Sequence, residues 1–297
     1  MKKASTVFFI TLLLLTVVLT SIPFAQSKPG DIKILSYDYY IDNLGILDVV
    51  GEIQNTGSET IMNVFLKGTI TASDGTIIGS GTARAWVSHL LPQQKAPFYM
   101  DFYQTSTGAA WSTVSISKVT LEVTGAEAID KHQYPDLEIV SSEAKVSTSG
   151  EDQGTYWVSG TIRNTGSETA SKITVVGTFF DSSGNVVAVG YTSYLTPNSL
   201  NPSSTTQFKV GAFDQNQSAV PASKKITSYS LLVQSESPLQ TGPGPSATAQ
   251  PGGSSSPAGT QQGDSSNSGF DSNILYIIII AGVVIAVVVV LLVSRRR

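Results

Sequence analysis

Few side chains in this sequence are suited to chemistry, so their type and spacing come first. The hexapeptide Asn-Thr-Gly-Ser-Glu-Thr occurs twice, at 55–60 and 164–169. An Asn can bond its own backbone two residues on, and a Gly can supply a positive φ. Asn55 with Gly57, and Asn164 with Gly166, therefore predict a structural strand-to-strand turn. The competing reading is a ligand loop in which Glu168 is the working carboxylate. Asp181-Ser-Ser-Gly-Asn185 resembles a calcium loop in its first residues. It lacks the run of carboxylates and the distant Glu that a hard cation needs, so a hairpin turn is expected. Tyr37, Tyr39 and Tyr40, with Tyr156 and Trp157, offer a surface on which a sugar could stack, or simply pack on a sheet. His89 and His132 are the only histidines, and neither lies near a G-x-S-x-G elbow. With no Cys in the chain, thiolate metal sites, disulfides and a cysteine nucleophile are excluded. The expectation is no catalytic residue, no cofactor and no metal. Asn216-Gln217-Ser218 is the one N-x-S/T sequon, and glycosylation at Asn216 would place it in an external loop.

The elements that must position these residues are strands. Residues 51–75 and 160–184 share 12 of 25 positions at a constant offset of 109. After a one-residue slip, Leu90, Pro92 and Phe98 match Leu200, Pro202 and Phe208. The chain thus contains a tandem duplication of a module of roughly 100 residues, a size that suits one small core. Val49, Gly51 and Ile53 fall on one face with Glu52 and Gln54 on the other; Val158, Gly160 and Ile162 alternate with Ser159, Thr161 and Arg163. Period two with one polar face predicts half-buried antiparallel strands. About six strands per copy are expected, near 31–42, 45–54, 60–72, 76–87, 96–103 and 114–124 in the first. Turn signals at Asn55-Thr56-Gly57, Ser73-Asp74-Gly75 and Leu91-Pro92 separate them. The fold class expected is all-β, two tandem sandwiches at 31–133 and 134–235, with the second copy able to fold alone.

Of 297 residues 41% are hydrophobic and 13% charged, about half the usual charged share. Setting aside Lys2, Lys3 and Arg295 to Arg297 leaves 13 basic against 22 acidic residues, the wrong sign for a nucleic-acid partner. Met1-Lys2-Lys3 precedes an apolar run from Val7 to Leu19, which predicts a signal peptide over 1–27. Ile274 to Val293 is 20 residues without a charge, followed by Ser294 and three arginines. That length predicts one C-terminal transmembrane helix over 274–293 with residues 294–297 as a cytoplasmic tail, and the lipid bilayer as a partner. Between them, 236–273 is rich in Ser, Gly, Pro and Thr and predicts a disordered stalk.

The strand ending G-x-I-x-N-T-G-S-E-T, the later F-D-x-x-G-N-V-V at Phe180 to Val187 and the L-x-P-x-x-x-x-x-F at Leu200 to Phe208 resemble FxLYD-type domains of prokaryotic envelope proteins. The N-T-G turn is similar to that of the related CARDB-like modules. The resemblance implies an immunoglobulin-like sandwich in each copy and a prokaryotic, for preference archaeal, cell-surface protein. The literal F-x-L-Y-D string is absent from both copies. The function expected is a membrane-anchored extracellular binding or spacer protein without chemistry of its own, facing an extracellular protein or glycan. The alternatives are an accessory subunit of a membrane transport or secretion complex and, last, an extracellular enzyme.

Overall fold

Residues 28–150, 152–192, 195–212, 220–245 and 252–254 are described by a computed structural model, and the chain there is all-β. Helix among these residues amounts to two single turns, Pro29–Asp31 and Trp111–Thr113. The signal peptide expected at 1–27, the span at 274–293, the tail at 294–297 and Asn216 lie outside the described residues. Among those residues, no helix is long and apolar enough to cross a membrane.

The first copy runs β1 Ile32–Ile41, β2 Leu47–Asn55, β3 Thr60–Ala72, β4 Ile77–Arg84, β5 His89–Leu90, β6 Lys95–Phe102 and β7 Ile116–Ile129. A link strand, β8 Lys131–Gln133, follows. The second copy repeats the order: β9 Leu137–Val146, β10 Tyr156–Asn164, β11 Ala170–Phe180, β12 Val186–Tyr191, β13 Ser199–Leu200, β14 Thr205–Gly211 and β15 Ser228–Ser237. The chain continues with β16 Leu239–Thr241 and β17 Gly252–Ser254. Each copy is two antiparallel layers. One is β1-β2-β6, matched by β9-β10-β14; the other is β4-β3-β7, matched by β12-β11-β15. The seventh strand, absent from the expected six, is the short β5 or β13, which pairs with β3 or β11. Two residues are too few to carry a period.

Alternate residues of the facing layers fill each sandwich-like core. Ile53, Leu66, Ile70, Phe98 and Trp111 centre the first; Ile162, Ile173, Phe179 and Phe208 centre the second. Gly51 and Gly160 leave no room for a side chain: a Cβ at either would run into the ring of Phe98 or Phe208, and at Gly160 first into the Ser141 carbonyl.

The two copies are docked within one compact unit. The outer face of β2, expected to be polar and wet, is covered by the outer face of β12 and β11. Tyr40, Val50 and Tyr99 of the first copy bury themselves against Val186 and Val189 of the second. Val176 and Leu232 of the second copy join the first core. Fully burying a valine contributes roughly 1.5–3 kcal/mol, enough to explain why this face closes despite its carboxylates. Glu52, expected on the solvent side, is 3% exposed. It takes a contact from Lys95 at 3.5 Å and a hydrogen bond from Thr178 across the seam. Lys224 of the second copy pairs with Asp38, and Ser36 Oγ accepts from the Val186 amide.

The stalk boundary also moves. Residue 236 falls inside β15, and β16 pairs with the link strand β8, with Leu239 opposite Gln133 and Thr241 opposite Lys131. β17 pairs with the start of β15. Composition argued for disorder because few large apolar side chains are available, but backbone N–H and C=O groups pair whatever the side chains are.

Candidate functional site

The repeated turn is built the same way twice. Asn55 Oδ1 accepts from the Gly57 amide at 3.0 Å, while Nδ2 donates to the carbonyls of Glu59 at 2.7 Å and Leu90 at 3.0 Å. Asn164 repeats this with Gly166 at 3.1 Å, Glu168 at 2.7 Å and Leu200 at 2.8 Å. Both Asn side chains are fully buried, so each clips the end of β2 or β10 to the next strand and to the short strand beyond. The expected reason for the glycines needs correcting: neither Gly57 nor Gly166 has a positive φ. The chain simply comes too close for a side chain. A Cβ on Gly166 would overlap the Tyr134 hydroxyl and Asp136, and one on Gly57 would crowd the Asp31 carboxylate at 2.8 Å. Glu168 lies exposed beyond the turn, its amide donating to the Tyr134 hydroxyl at 3.1 Å.

The other sequence-level candidates are kept apart. Asp181 spends its carboxylate on its own hairpin, accepting from the Ser183 and Asn185 amides at 2.9 and 2.8 Å. The Asn185 bond, foremost, holds its pKa below the ordinary carboxylate value. Among the described residues no group of three or more His, Asp or Glu is placed to hold a metal. The aromatics form no common surface. Tyr37 bonds the Val119 carbonyl, Tyr39 packs against the first core, Tyr40 is in the seam, Tyr156 is in the second core, and Trp157 lies under Lys209 at 3.8 Å. His89 is held below the usual imidazole value by burial first, then by His132 and Lys131, and its Nδ1 is 3.0 Å from Ser88 Oγ. His132, buried in β8, places Nδ1 2.8 Å from the Gln133 carbonyl.

What the docking does create is a cleft of about 850 Å³ at one end of the seam. Its first-copy wall carries Arg84, Trp86, Tyr99 and Asp101; its second-copy wall carries Lys172, Thr174, Tyr191 and Glu236. Pairing register explains the grouping. Tyr99 and Asp101 stand opposite Val50 and Asp48, so they share the outer face of the first copy's layer. Tyr191 stands opposite Val176, on the outer face of the second. Trp86 touches both, with its ring 5.1 Å from that of Tyr191, edge to face, and 6.1 Å from that of Tyr99. Tyr99 is fixed from below by a 2.7 Å bond from its hydroxyl to Asp48. Gln234 closes the floor: it donates to the Trp86 carbonyl at 2.7 Å and accepts from Gln133 at 2.9 Å. Lys172 and Glu236 pair with each other at 2.7 Å on the rim. None of the cleft's aromatic residues was singled out from the sequence. They are separated by up to 105 positions and have no aromatic counterpart in the other copy, so only the docking brings them together.

No protein-family model matches this sequence, and neither does any curated protein. Several solved structures match this chain over part of their own length. A β-glucuronidase of glycoside hydrolase family 2 is 13% identical with a TM-score of 0.25, over 74% of this chain and 26% of that one. A transglutaminase from red sea bream is 12% identical with a TM-score of 0.20, over 69% of this chain and 30% of that one. An exo-chitosanase from Amycolatopsis orientalis is 17% identical with a TM-score of 0.20, over 70% and 26%. The chain spans only about a quarter to a third of their length. A likeness this slight says nothing of what the present chain does.

Proposed function

We propose that this chain is a non-catalytic binding protein of a prokaryotic cell envelope. In this reading residues 274–293 anchor it, and two immunoglobulin-like modules of the FxLYD type stand outside the membrane. The uncharged run ending in three arginines supports the anchor and its orientation. The observation that carries the binding role is the cleft at the seam. Ligand sites favour concave surfaces between domains, with aromatic walls and a few convergent polar groups. A plain spacer has no need to bury carboxylates such as Asp48 and Glu52 in a junction that a flexible link would replace.

The test is capture in place. A photo-crosslinking benzoylphenylalanine is introduced at Tyr191, at the cleft, or at Ile77, an exposed site on the first copy's β4. The full chain is then irradiated on intact cells. The cleft position is expected to yield an adduct that the Ile77 position does not. Identical adducts, or none from Tyr191, would overturn the binding role.

A further inference from the structure

We propose that the cleft receives a neutral saccharide segment, an inference that rests on the binding role just given and names its ligand class. Three observations converge. First, an aromatic platform is open to solvent. Tyr191 is 42% exposed at the lip, and Trp86, half-buried, braces it edge to face. The face of such a ring is electron-rich and attracts the polarised C–H groups that line one side of a pyranose.

Second, the charges balance. Arg84 and Lys172 stand against Asp101 and Glu236, so the cleft is formally neutral. A polyanion would meet Asp101 and the buried Asp48 behind it, and a polycation would meet Arg84 and Lys172. Third, the groups left over after internal pairing are those a polyol uses. Lys172 and Glu236 satisfy each other, and Arg84 lies 4.6 Å over the Phe65 ring while donating to Asn63 at 3.3 Å. Asp101 forms no ion pair among the described residues, which leaves two oxygens free to accept from adjacent sugar hydroxyls. Thr82 and Thr174 add a hydroxyl to each wall. At about 850 Å³ the cleft holds a short oligomer and stays within the usual size of ligand sites.

The full chain in detergent micelles is titrated calorimetrically with cellohexaose, chitohexaose and mannohexaose. The charged hexamers of galacturonate and glucosamine, and a proline-rich peptide, serve as contrasting probes. At least one neutral hexamer is expected to bind. Tyr191→Ala and Asp101→Asn should each weaken it about tenfold or more, since each removes a stack or a hydrogen-bond pair. Tyr103→Ala, at an exposed ring outside the cleft, should leave it unchanged, and all three variants should melt with the parent. Failure of every neutral hexamer to bind, or binding insensitive to Tyr191→Ala and Asp101→Asn, overturns the inference. Cleft-dependent binding of a charged hexamer or of the peptide also overturns it, yet leaves the binding role standing. If no probe binds and crosslinking at Tyr191 captures nothing, the binding role falls with it.

Discussion

Strands β2 and β10 occupy the same place in the two copies, with the same turn at their ends, and live in different surroundings. From Val49 to Asn55 every residue but Gln54 is buried, whereas the equivalent Ser159, Thr161 and Arg163 are partly or fully exposed. The partner strands follow suit: Tyr99 of β6 is buried and its counterpart Lys209 of β14 is exposed. On the covering side the relation is reversed. Val189 of β12 is 1% exposed, while its counterpart in β4 is Ser80, open to solvent. The copies therefore meet head to tail through unlike faces. A heterologous contact of this kind propagates unless the next face refuses it. Here the second copy offers Ser159, Thr161 and Lys209, and the first offers Ser80, so neither free face repeats the apolar contact of the seam.

The largest expected effect breaks that asymmetry. Val189→Asp places a carboxylate in the seam and should destabilise the full chain by about 3–5 kcal/mol. The equivalent Ser80→Asp should stay within about 0.5 kcal/mol. Denaturant unfolding followed by proteolytic sensitivity separates them; equal effects would mean that the seam adds no stability. Next come the clips, where the copies should behave alike. Asn55→Ala and Asn164→Ala each strand one buried and one part-buried carbonyl, at a cost of about 2–4 kcal/mol. Unequal values from the same unfolding curves would show that one turn is not held as the other is.

Smaller again is the glycine contrast. Gly166→Ala meets the Tyr134 hydroxyl and Asp136 and should cost about 2 kcal/mol, whereas Gly57→Ala displaces only one flexible carboxylate and should cost about half that. Thermal scans in which the order reverses would restore backbone dihedral, rather than contact, as the reason for glycine. The smallest effect belongs to Glu52. Burial, chiefly, raises its pKa above the ordinary 4.5 despite Lys95 and Thr178. Folding therefore favours the protonated form. Its contribution is full below the unfolded value near 4.5 and is lost as pH rises through the raised folded one. Glu52→Gln should then gain about 1 kcal/mol at pH 7, with the gain fading below pH 4.5. A gain that persists in acid, or a loss at pH 7, would mean that the Lys95 pair outweighs desolvation.

How much of this was legible in the sequence follows from which face a residue serves. The strands, their order and the duplication were readable because inner-face residues such as Ile53, Leu66 and Phe98 repeat with a period of two in both copies. The bond from each Asn to the amide two residues on was readable for a similar reason: it is local. Contacts made by outer faces were not, because alternation says only that the other face is less apolar. A signal did exist. Val186-Val-Ala-Val189 is continuously apolar where the first copy reads Ile77-Ile-Gly-Ser80, and an unbroken run marks a strand covered on both sides. Comparing the copies for their differences, rather than their identities, would have located the seam. It would still have missed Trp86, Tyr99 and Tyr191, which converge only once the modules dock.

The pairing of β16 with β8 has a mechanical consequence. Because β8 directly follows the first copy, the second copy is a closed loop stitched at its neck. Tension along the chain from beyond Ser254 would reach β17 first and then that stitch, before any core strand. Thr241 and Lys131, the residues at the two loaded ends, are partners in the same register position. Pulling there opens the pair like a zipper, one bond after another, instead of shearing all of its bonds at once. The neck would thus yield at small force and release chain while both sandwiches stay folded.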